Sequence, residues 1–276
     1  MKKESLSYTV LVYTVLSLLG AAFFLPFYWL IISSLKSQRE LFMLPPTWFP
    51  KEIQWSNYPQ ALTYIPFALY LKNTILYCVL CIIGAVISNS LVAYSLSRIR
   101  WKGREILFFL IISTMMIPYQ VTMIPLFILF KNYGWLNTYK PLIVPTFFGN
   151  PFYIFMLRQF LRTVPGELSD AAKVDGASEF LIYSKIVMPL VKPAITAVIL
   201  FEFLGRWNDF MGPLIYLRDE PLFPIALGLR RFLTLYQAQW SLLMAASAVF
   251  TVPIVILFFF TQKTFIEGIT VTGMKG

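Results

Sequence analysis

Apolar residues are concentrated in six long runs, and polar or charged stretches separate these runs. A run of about 20 apolar residues is long enough to cross a bilayer as a helix, which satisfies its own backbone hydrogen bonds in lipid. We therefore predict an all-α membrane protein with six transmembrane helices in one domain, residues 1–276. The predicted spans lie at about 8–32, 73–97, 106–130, 141–161, 193–216 and 242–262.

The third predicted span contains Pro118 and Pro125. Proline lacks a backbone N–H and clashes with the preceding turn, so we expect this helix to be kinked or broken. A membrane tolerates such a break where protein or a water-filled cavity satisfies the freed backbone groups. A packing kink without a functional role is an equally good interpretation.

The charges between the spans predict their orientation. Four cations, Arg98, Arg100, Lys102 and Arg104, follow the second span, and the positive-inside rule places them in the cytoplasm. Six spans then place both termini in the cytoplasm as well. The first apolar run is longer than that of a signal peptide, which favours a retained first span. We attribute the net charge of +10 to topology and contact with anionic lipid rather than to nucleic acid.

Composition excludes several kinds of chemistry. Only 13% of the residues are charged and 58% are hydrophobic, far from the roughly 25% charged of a soluble domain. The chain has no histidine, which excludes a Ser-His triad and a His-ligated metal. Cys78 and Cys81 lie in an apolar run and are interpreted as small core residues. No GxxxxGK[ST] motif occurs, which excludes a Walker A loop for nucleotide phosphates in this chain.

The stretch 164–189 is polar although it lies between two apolar runs, and its pattern predicts two short helices around a glycine. Pro165 suits a first helical turn, and Gly176 can turn the chain at positive φ. A second helix is predicted from about 178 to 187, with Pro189 as its end.

These residues resemble the cytoplasmic "EAA" coupling loop of the permease subunits of bacterial ABC importers, which have the type I permease fold. The sequences Asp170-Ala171-Ala172 and Asp175-Gly176-Ala177, followed by Pro189, occupy the places of the motif, with aspartate where the first glutamate is usual. Trp207–Phe210 and the ending Phe265–Gly276 are similar to the maltose-type, carbohydrate branch. The candidate ATPase-coupling residues are Glu167, Asp170, Ala171, Ala172, Asp175, Gly176, Ala177 and Pro189.

The resemblance implies a transport subunit rather than an enzyme. It implies half of a translocation pathway for a sugar, polyol or oligosaccharide in a bacterial inner membrane. The implied partners are a second homologous permease, two ATPase subunits that carry ATP and Mg, and an extracytoplasmic solute-binding protein. No cofactor is expected in this chain.

The fifth predicted span contains charges. Glu202, Arg206 and Asp209 are spaced i, i+4 and i+7, which places them on one helical face, and charges in a span usually face protein or water. With Trp207 and Asn208 they are the candidate pathway residues. A structural ion-pair set is an equally good interpretation. An alternative function is an ion-coupled secondary transporter, with Glu202 and Asp209 as the coupling carboxylates.

Overall fold

The protein is helical throughout most of the described chain. A computed structural model describes the backbone of residues 6–233 and 238–273 and the side chains of residues 7–233 and 238–262. One isolated antiparallel bridge joins Leu233 and Ala238. The chain divides into two compact units, the first from Met1–Phe67 with Leu229–Pro253 and the second from Ala68–Gly228 with Ile254–Gly276.

The α-helices follow one another along the described chain in this order: α1 (Leu6–Ser34), α2 (Gln38–Leu41), α3 (Asn57–Tyr64), α4 (Phe67–Ser97), α5 (Arg104–Ser113), α6 (Tyr119–Asn132), α7 (Lys140–Ile143), α8 (Pro151–Thr163), α9 (Gly166–Val174), α10 (Glu179–Leu181), α11 (Met188–Leu190), α12 (Lys192–Trp207), α13 (Met211–Tyr216), α14 (Ile225–Gly228) and α15 (Trp240–Gly273). Shorter helical turns are the 3-10 segments Thr114–Met116, Val144–Phe148, Glu220–Leu222 and Leu229–Phe232, and the π-helical segment Ile182–Val187.

Three helices of the described chain are long and apolar enough to cross a membrane. They are Ser7–Ser34, Phe67–Ser97 and Trp240–Gln262. Two further pairs of helices, each bent at a short break, are long and apolar enough to cross a membrane if each pair is counted as one span. Counting them raises the number of candidate spans to five. The described residues therefore form a helical membrane protein with three to five candidate spans, fewer than the six predicted.

The third predicted span is broken, as its prolines indicated. Its two halves, Arg104–Met116 and Tyr119–Asn132, meet at an angle of 98°. Pro118 is the last residue before α6 and has the extended backbone of a helix cap. Pro125 lies inside α6, which continues through it. The break is therefore at the first of the two prolines.

The segment predicted as the fourth span, 141–161, is not one continuous helix. This segment divides into α7, a 3-10 turn and α8, and Gly149 lies before α8 with a φ of 93°. Pro141, Pro145 and Pro151 each stand at the start of one of these three pieces. A proline starts a helix easily because its missing N–H would be unpaired there, whereas it interrupts the hydrogen bonds inside a helix.

The last two predicted spans also have different limits. The fifth, predicted at 193–216, contains α12 and α13 with a break between them. The sixth, predicted to end at 262, is part of α15, which extends to Gly273. The side chains of residues 265–276, which carry part of the family resemblance, lie outside the described residues.

The first unit contains an ordered loop network after α1. The ammonium group of the buried Lys36 donates to the carbonyl oxygen of Thr47 and lies 4.7 Å from the centroid of the Trp29 ring. Gln38 donates to the carbonyl of Ala238 and accepts a hydrogen bond from the backbone of Ser241, at the start of α15. Side chains therefore attach this loop to the beginning of the last long helix.

The core of the second unit joins five helical segments. Its buried side chains come from α4, α8, α9, the π-helical segment and α12, together with Val164 and Val191 between helices. Cys78 and Cys81 are buried free thiols on α4, as predicted. Arg158 of α8 is also buried and donates to the carbonyl of Leu96 and to both carboxylate oxygens of Glu105. These contacts connect α8 with the end of α4 and the start of α5.

Gly228→Ala is expected to destabilise the protein because the backbone at Gly228 approaches a buried ring. A Cβ atom there would lie 2.3 Å from Cδ2 of Tyr70, and the Tyr70 hydroxyl is already bonded to Glu220. Overpacking of this kind costs about 1–3 kcal/mol, and thermal unfolding in detergent measures it. Gly20→Ala is the control, because a Cβ at Gly20 meets no atom within 4 Å. Equal unfolding midpoints for the two variants would contradict this expectation.

Candidate functional site

A cavity of about 800 Å³ lies within the second unit. Helices α4, α6, α12 and α13 and the broken segment from Pro141 to Asn150 contribute to its wall. Its volume lies in the range of small-molecule sites, about 300–1,000 Å³. The polar and charged side chains in the wall include Asn89, Tyr119, Thr146, Asn150, Tyr153, Glu202, Arg206 and Asp209. The aromatic ones include Phe130, Trp135, Phe148 and Tyr216.

The three charged residues of the fifth predicted span all line this cavity. Arg206 Nε donates to Glu202 Oε1 at 2.6 Å, and the Glu202 side chain is only 5% exposed. The helical spacing explains this pair, which is i, i+4 within α12. It does not explain Asp209, because α12 ends at Trp207 and Asp209 lies in the break before α13. The expectation of one continuous helical face is therefore wrong for this residue.

Tyr77 of α4 joins Asp209 to the ion pair. The Tyr77 hydroxyl donates to Asp209 Oδ2 at 2.6 Å, and Arg206 Nη1 donates to the Tyr77 oxygen at 3.2 Å. The other carboxylate oxygen of Asp209 accepts from the backbone N–H of Gly212 at 3.0 Å. We call Tyr77, Glu202, Arg206 and Asp209 the cavity network. The charges thus both pair with one another and line the cavity.

The sequence analysis did not identify Tyr77 or Asn89. Both lie on α4, and Asn89 is fully buried and accepts from the backbone N–H of Asn150 at the start of α8. Their polar atoms inside an otherwise apolar span were a usable signal, because a buried polar group needs a partner.

Two candidate pathway residues, Trp207 and Asn208, lie outside the cavity wall. Trp207 stacks on Phe203, and the Asn208 amide donates to the carbonyl of Leu204.

The second candidate site is the stretch from Val164 to Leu190, which we call the coupling loop. Helix α9 ends at a glycine turn in which Gly176 has a φ of 80°, as predicted. The N–H of Gly176 bonds to the carbonyl of Lys173, and the N–H of Ala177 bonds to that of Ala172. This pair of bonds is the Schellman arrangement, which needs a left-handed residue at this position.

The limits of the two loop helices differ from the prediction. Pro165 is the cap before α9 rather than part of its first turn. The second helix continues past Pro189 to Leu190 and includes the π-helical segment Ile182–Val187. Pro189 lies in the short helical piece Met188–Leu190 that follows the π-helical segment. The chain then bends by 81° before α12.

Most candidate coupling residues lie on the surface of the loop. Those with exposed side chains or backbone are Glu167, Asp170, Ala171, Asp175, Gly176 and Pro189, whereas Ala177 is half-buried and Ala172 lies in the core of the unit. Val174 and Phe180 flank the glycine turn and are 88% and 70% exposed.

An ion pair joins the two helices of the loop. Lys173 Nζ lies 2.7 Å from Glu179 Oε1, and the hydroxyl of Tyr94 donates to the other carboxylate oxygen of Glu179. The hydrogen bond from Lys173, with the weaker one from Tyr94, lowers the pKa of the Glu179 carboxyl. Within the described residues no group of three or more Cys, Asp or Glu side chains is placed to hold a metal ion.

Three comparisons relate the chain to known proteins. The family model described as "Binding-protein-dependent transport system inner membrane component" matches residues 82–270. The arabinooligosaccharides transport system permease protein AraQ of Bacillus subtilis is 34% identical over 264 residues, 94% of this chain and 93% of that protein. The trehalose/maltose transport system permease protein MalG of Thermococcus litoralis is 30% identical over 256 residues, 91% of each chain.

A solved structure shows the same fold. It is the crystal structure of a bacterial ABC transporter involved in the import of the acidic polysaccharide alginate, and a chain in it matches with a TM-score of 0.83. The match covers 96% of this chain and 100% of that chain at 24% sequence identity.

The family model covers more than half of the chain, and relatives at or above 30% identity cover most of its length. These matches decide between the two transport hypotheses in favour of the ABC permease and against secondary transport. They also assign the chain to the inner membrane and to transport rather than catalysis. This chain belongs to the family of binding-protein-dependent transport system inner membrane components, the permeases of ABC transporters.

Proposed function

We propose that this permease forms one half of the translocation pathway of an ATP-driven importer for a sugar, oligosaccharide or related polyol. The cavity of the second unit is the observation that carries the proposal, because its wall combines aromatic rings with amide, hydroxyl and charged groups. Such groups suit a polyhydroxylated solute, whose ring faces are apolar and whose edges form hydrogen bonds. The printed names of AraQ and MalG, which refer to oligosaccharides and to trehalose and maltose, support the same class.

The cavity charges favour a neutral solute over an acidic one. Glu202, Arg206 and Asp209 are the charged residues in its wall, and they sum to one negative charge. A solute carboxylate would be repelled by this excess, whereas a neutral sugar would not. We therefore infer that the natural solute is an uncharged carbohydrate.

The partners of the permease follow from its chemistry and its family. The sequence has no Walker A loop, so ATP with Mg is bound and hydrolysed by two separate ATPase subunits. A second homologous permease completes the pathway, and an extracytoplasmic solute-binding protein delivers the solute. Surrounding lipid contacts the exposed apolar helix faces, and no nucleic acid takes part.

The coupling loop is the proposed docking element for the ATPase. Its exposed acidic residues and the apolar Val174 and Phe180 surround a turn of defined geometry. A folded loop of this kind can transmit a movement of the ATPase to the membrane helices, whereas a mobile linker cannot. Glu167, Asp170, Ala171, Asp175 and Gly176 would face the ATPase, and Ala172 would hold the loop on the core.

The proposed topology has six crossings with both termini and the coupling loop in the cytoplasm. The fourth crossing is made by the broken segment from Lys140 to Thr163, whose interrupted backbone borders the cavity. Irregular backbone is tolerated at membrane depth where it lines a cavity. Discontinuous helices of this kind often border transport sites.

Labelling of single cysteines tests this topology. With Cys78 and Cys81 replaced, Ser178→Cys is expected to react with an impermeant thiol reagent only in inside-out vesicles. Trp48→Cys, on the exposed loop after α1, is the matched outer position and is expected to react in intact cells. Outward labelling at residue 178 would contradict the whole orientation.

Uptake by the purified complex tests the function itself. The permease is coexpressed with its partner subunits, purified in mild detergent and reconstituted with the binding protein. We expect an ATPase to copurify and ATP to drive uptake of a labelled neutral oligosaccharide. Uptake that follows an ion gradient without ATP would contradict the proposal.

A further inference from the structure

We propose that α4 transmits the movement of the coupling loop to the cavity through three side chains, Ser90, Tyr94 and Arg98. This inference rests on the proposed function of the coupling loop as the ATPase contact. The three residues are spaced i, i+4 and i+8, which places them on one face of the last turns of α4. The N–H of Arg98 bonds to the carbonyl of Tyr94, so the helical course continues to Arg98. We call these residues the α4 stripe.

The stripe holds both helices of the coupling loop. Arg98 donates to the carbonyls of Val164 and Pro165 at 2.6 and 3.1 Å and to the hydroxyl of Ser169 in α9 at 2.9 Å. Arginine suits this role because its fixed fork of donors binds several acceptors at once. The guanidinium thus fixes both the entry to the first loop helix and the helix itself.

The second loop helix contacts the other two stripe residues. The Tyr94 hydroxyl donates to Glu179 Oε2 at 2.9 Å, and the Ser90 hydroxyl lies 2.8 Å from that of Tyr183. The rings of Tyr94 and Tyr183 meet edge to face at 5.3 Å. Because Glu179 also pairs with Lys173 of α9, the two loop helices and α4 form one connected polar set.

The same helix reaches the cavity network. Tyr77 lies 13 residues before Ser90, about 20 Å along the helix axis, and bonds Asp209 and Arg206. Asn89 of α4 lines the cavity and bonds the start of α8. Helix α4 therefore contacts the coupling loop at one end and the cavity network towards the other, without a break between them.

Helix α12 offers a competing route, because it follows the loop directly and carries Glu202 and Arg206. The chain bends by 81° where the coupling loop joins α12. A displacement of the loop along its second helix is therefore not directed along the axis of α12. The α4 contacts are side-chain hydrogen bonds to a helix that runs without a break from Phe67 to Ser97. Variants of the α4 stripe leave the chain connection between the coupling loop and α12 unchanged, so the two routes can be tested separately.

The test uses the complete complex with its ATPase subunits and compares Tyr94→Phe and Arg98→Gln with the unaltered permease. Phe148 lines the cavity, so the reaction of Phe148→Cys with a thiol reagent measures how accessible the cavity is. The reaction is measured with and without Mg-ATP in a background with Cys78 and Cys81 replaced. We expect each variant to copurify its ATPase and hydrolyse ATP, while solute transported per ATP falls about tenfold and the ATP-dependent labelling change shrinks similarly.

A conservative variant and a matched control complete the design. Arg98→Lys keeps one charged donor and is expected to restore part of the coupling. Ser97→Ala removes a hydroxyl whose bonds stay within α4, and it is expected to behave as the unaltered permease. Ser90→Ala, which also loses the contact with Tyr183, is expected to weaken coupling.

The outcomes separate this inference from the proposed function. An unchanged labelling response in Tyr94→Phe and Arg98→Gln would overturn the inference and favour α12. Loss of the ATPase from these variants would also overturn it, because the stripe would then only hold the docking surface in shape. If the unaltered permease neither binds an ATPase nor responds to ATP, the proposed function fails and the inference fails with it.

Discussion

Gly176→Val is expected to abolish uptake and release the ATPase, while the permease still inserts in the membrane. The backbone at Gly176 has a φ of 80°, which a β-branched residue adopts only at a cost of about 1–3 kcal/mol. A Cβ atom there would meet no other atom within 4 Å, so backbone strain rather than crowding is the cause. The measurements are copurification of the ATPase and ATP-driven uptake in vesicles.

Two further variants separate backbone geometry from side-chain effects. Gly176→Asn is expected to retain most of the activity, because asparagine tolerates the left-handed region better than valine does. Gly166→Ala changes another glycine of the loop that has open space and no positive φ, and it is expected to be silent. Normal uptake by Gly176→Val would remove the turn from the mechanism.

Asp209→Asn is expected to raise the uptake of an acidic oligosaccharide relative to a neutral one about fivefold. The change brings the net charge of the cavity wall from minus one to zero. Two unit charges 4 Å apart interact with about 1 kcal/mol in bulk water, which corresponds to this ratio. Paired uptake assays with one neutral and one uronate-containing oligosaccharide measure the effect.

The structure distinguishes the two acidic residues of the cavity network. Asparagine at 209 keeps an oxygen that accepts from either Tyr77 or Gly212, so assembly is expected to remain intact. Glu202→Gln removes the ion-pair partner of the partly buried Arg206, and we expect it to lower the unfolding temperature as well. Asp219→Asn, outside the cavity wall, is the charge-matched control. Failure of Asp209→Asn to assemble would show a structural role for this carboxylate.

The sequence was sufficient for the features that depend on local chemistry. Long apolar runs predicted a helical membrane protein because lipid offers no partners for an open backbone. Pro118 and Pro125 predicted a kink or break in the third span, which occurs at Pro118 while α6 continues through Pro125. Gly176 predicted the positive φ of the glycine turn, because glycine lacks the Cβ atom that disfavours this region. The resemblance of the chain to the permease family was confirmed by the family match.

Other features depended on contacts between distant segments. The breaks within the predicted span at 141–161 are an exception, because Pro141, Pro145 and Pro151 are local signals that a prediction from hydropathy does not use. The helical spacing of Glu202 and Arg206 predicted their pairing, but Asp209 joins them only because α12 ends and Tyr77 approaches from α4. Residues 132 positions apart share that bond, and no periodicity within one segment contains this information.

The sequence by itself determined the class of protein, the approximate positions of the three long apolar helices and the conformation of the glycine turn, because each follows from hydrophobicity or backbone geometry along one segment. Tertiary structure alone decided which polar side chains meet in the cavity and which helix holds the coupling loop. Arg98 illustrates the difference, since its charge indicated a cytoplasmic position, whereas its three acceptors come from residues 164 to 169. Buried polar groups must find partners, and only the packing of the helices determines which partners are within reach.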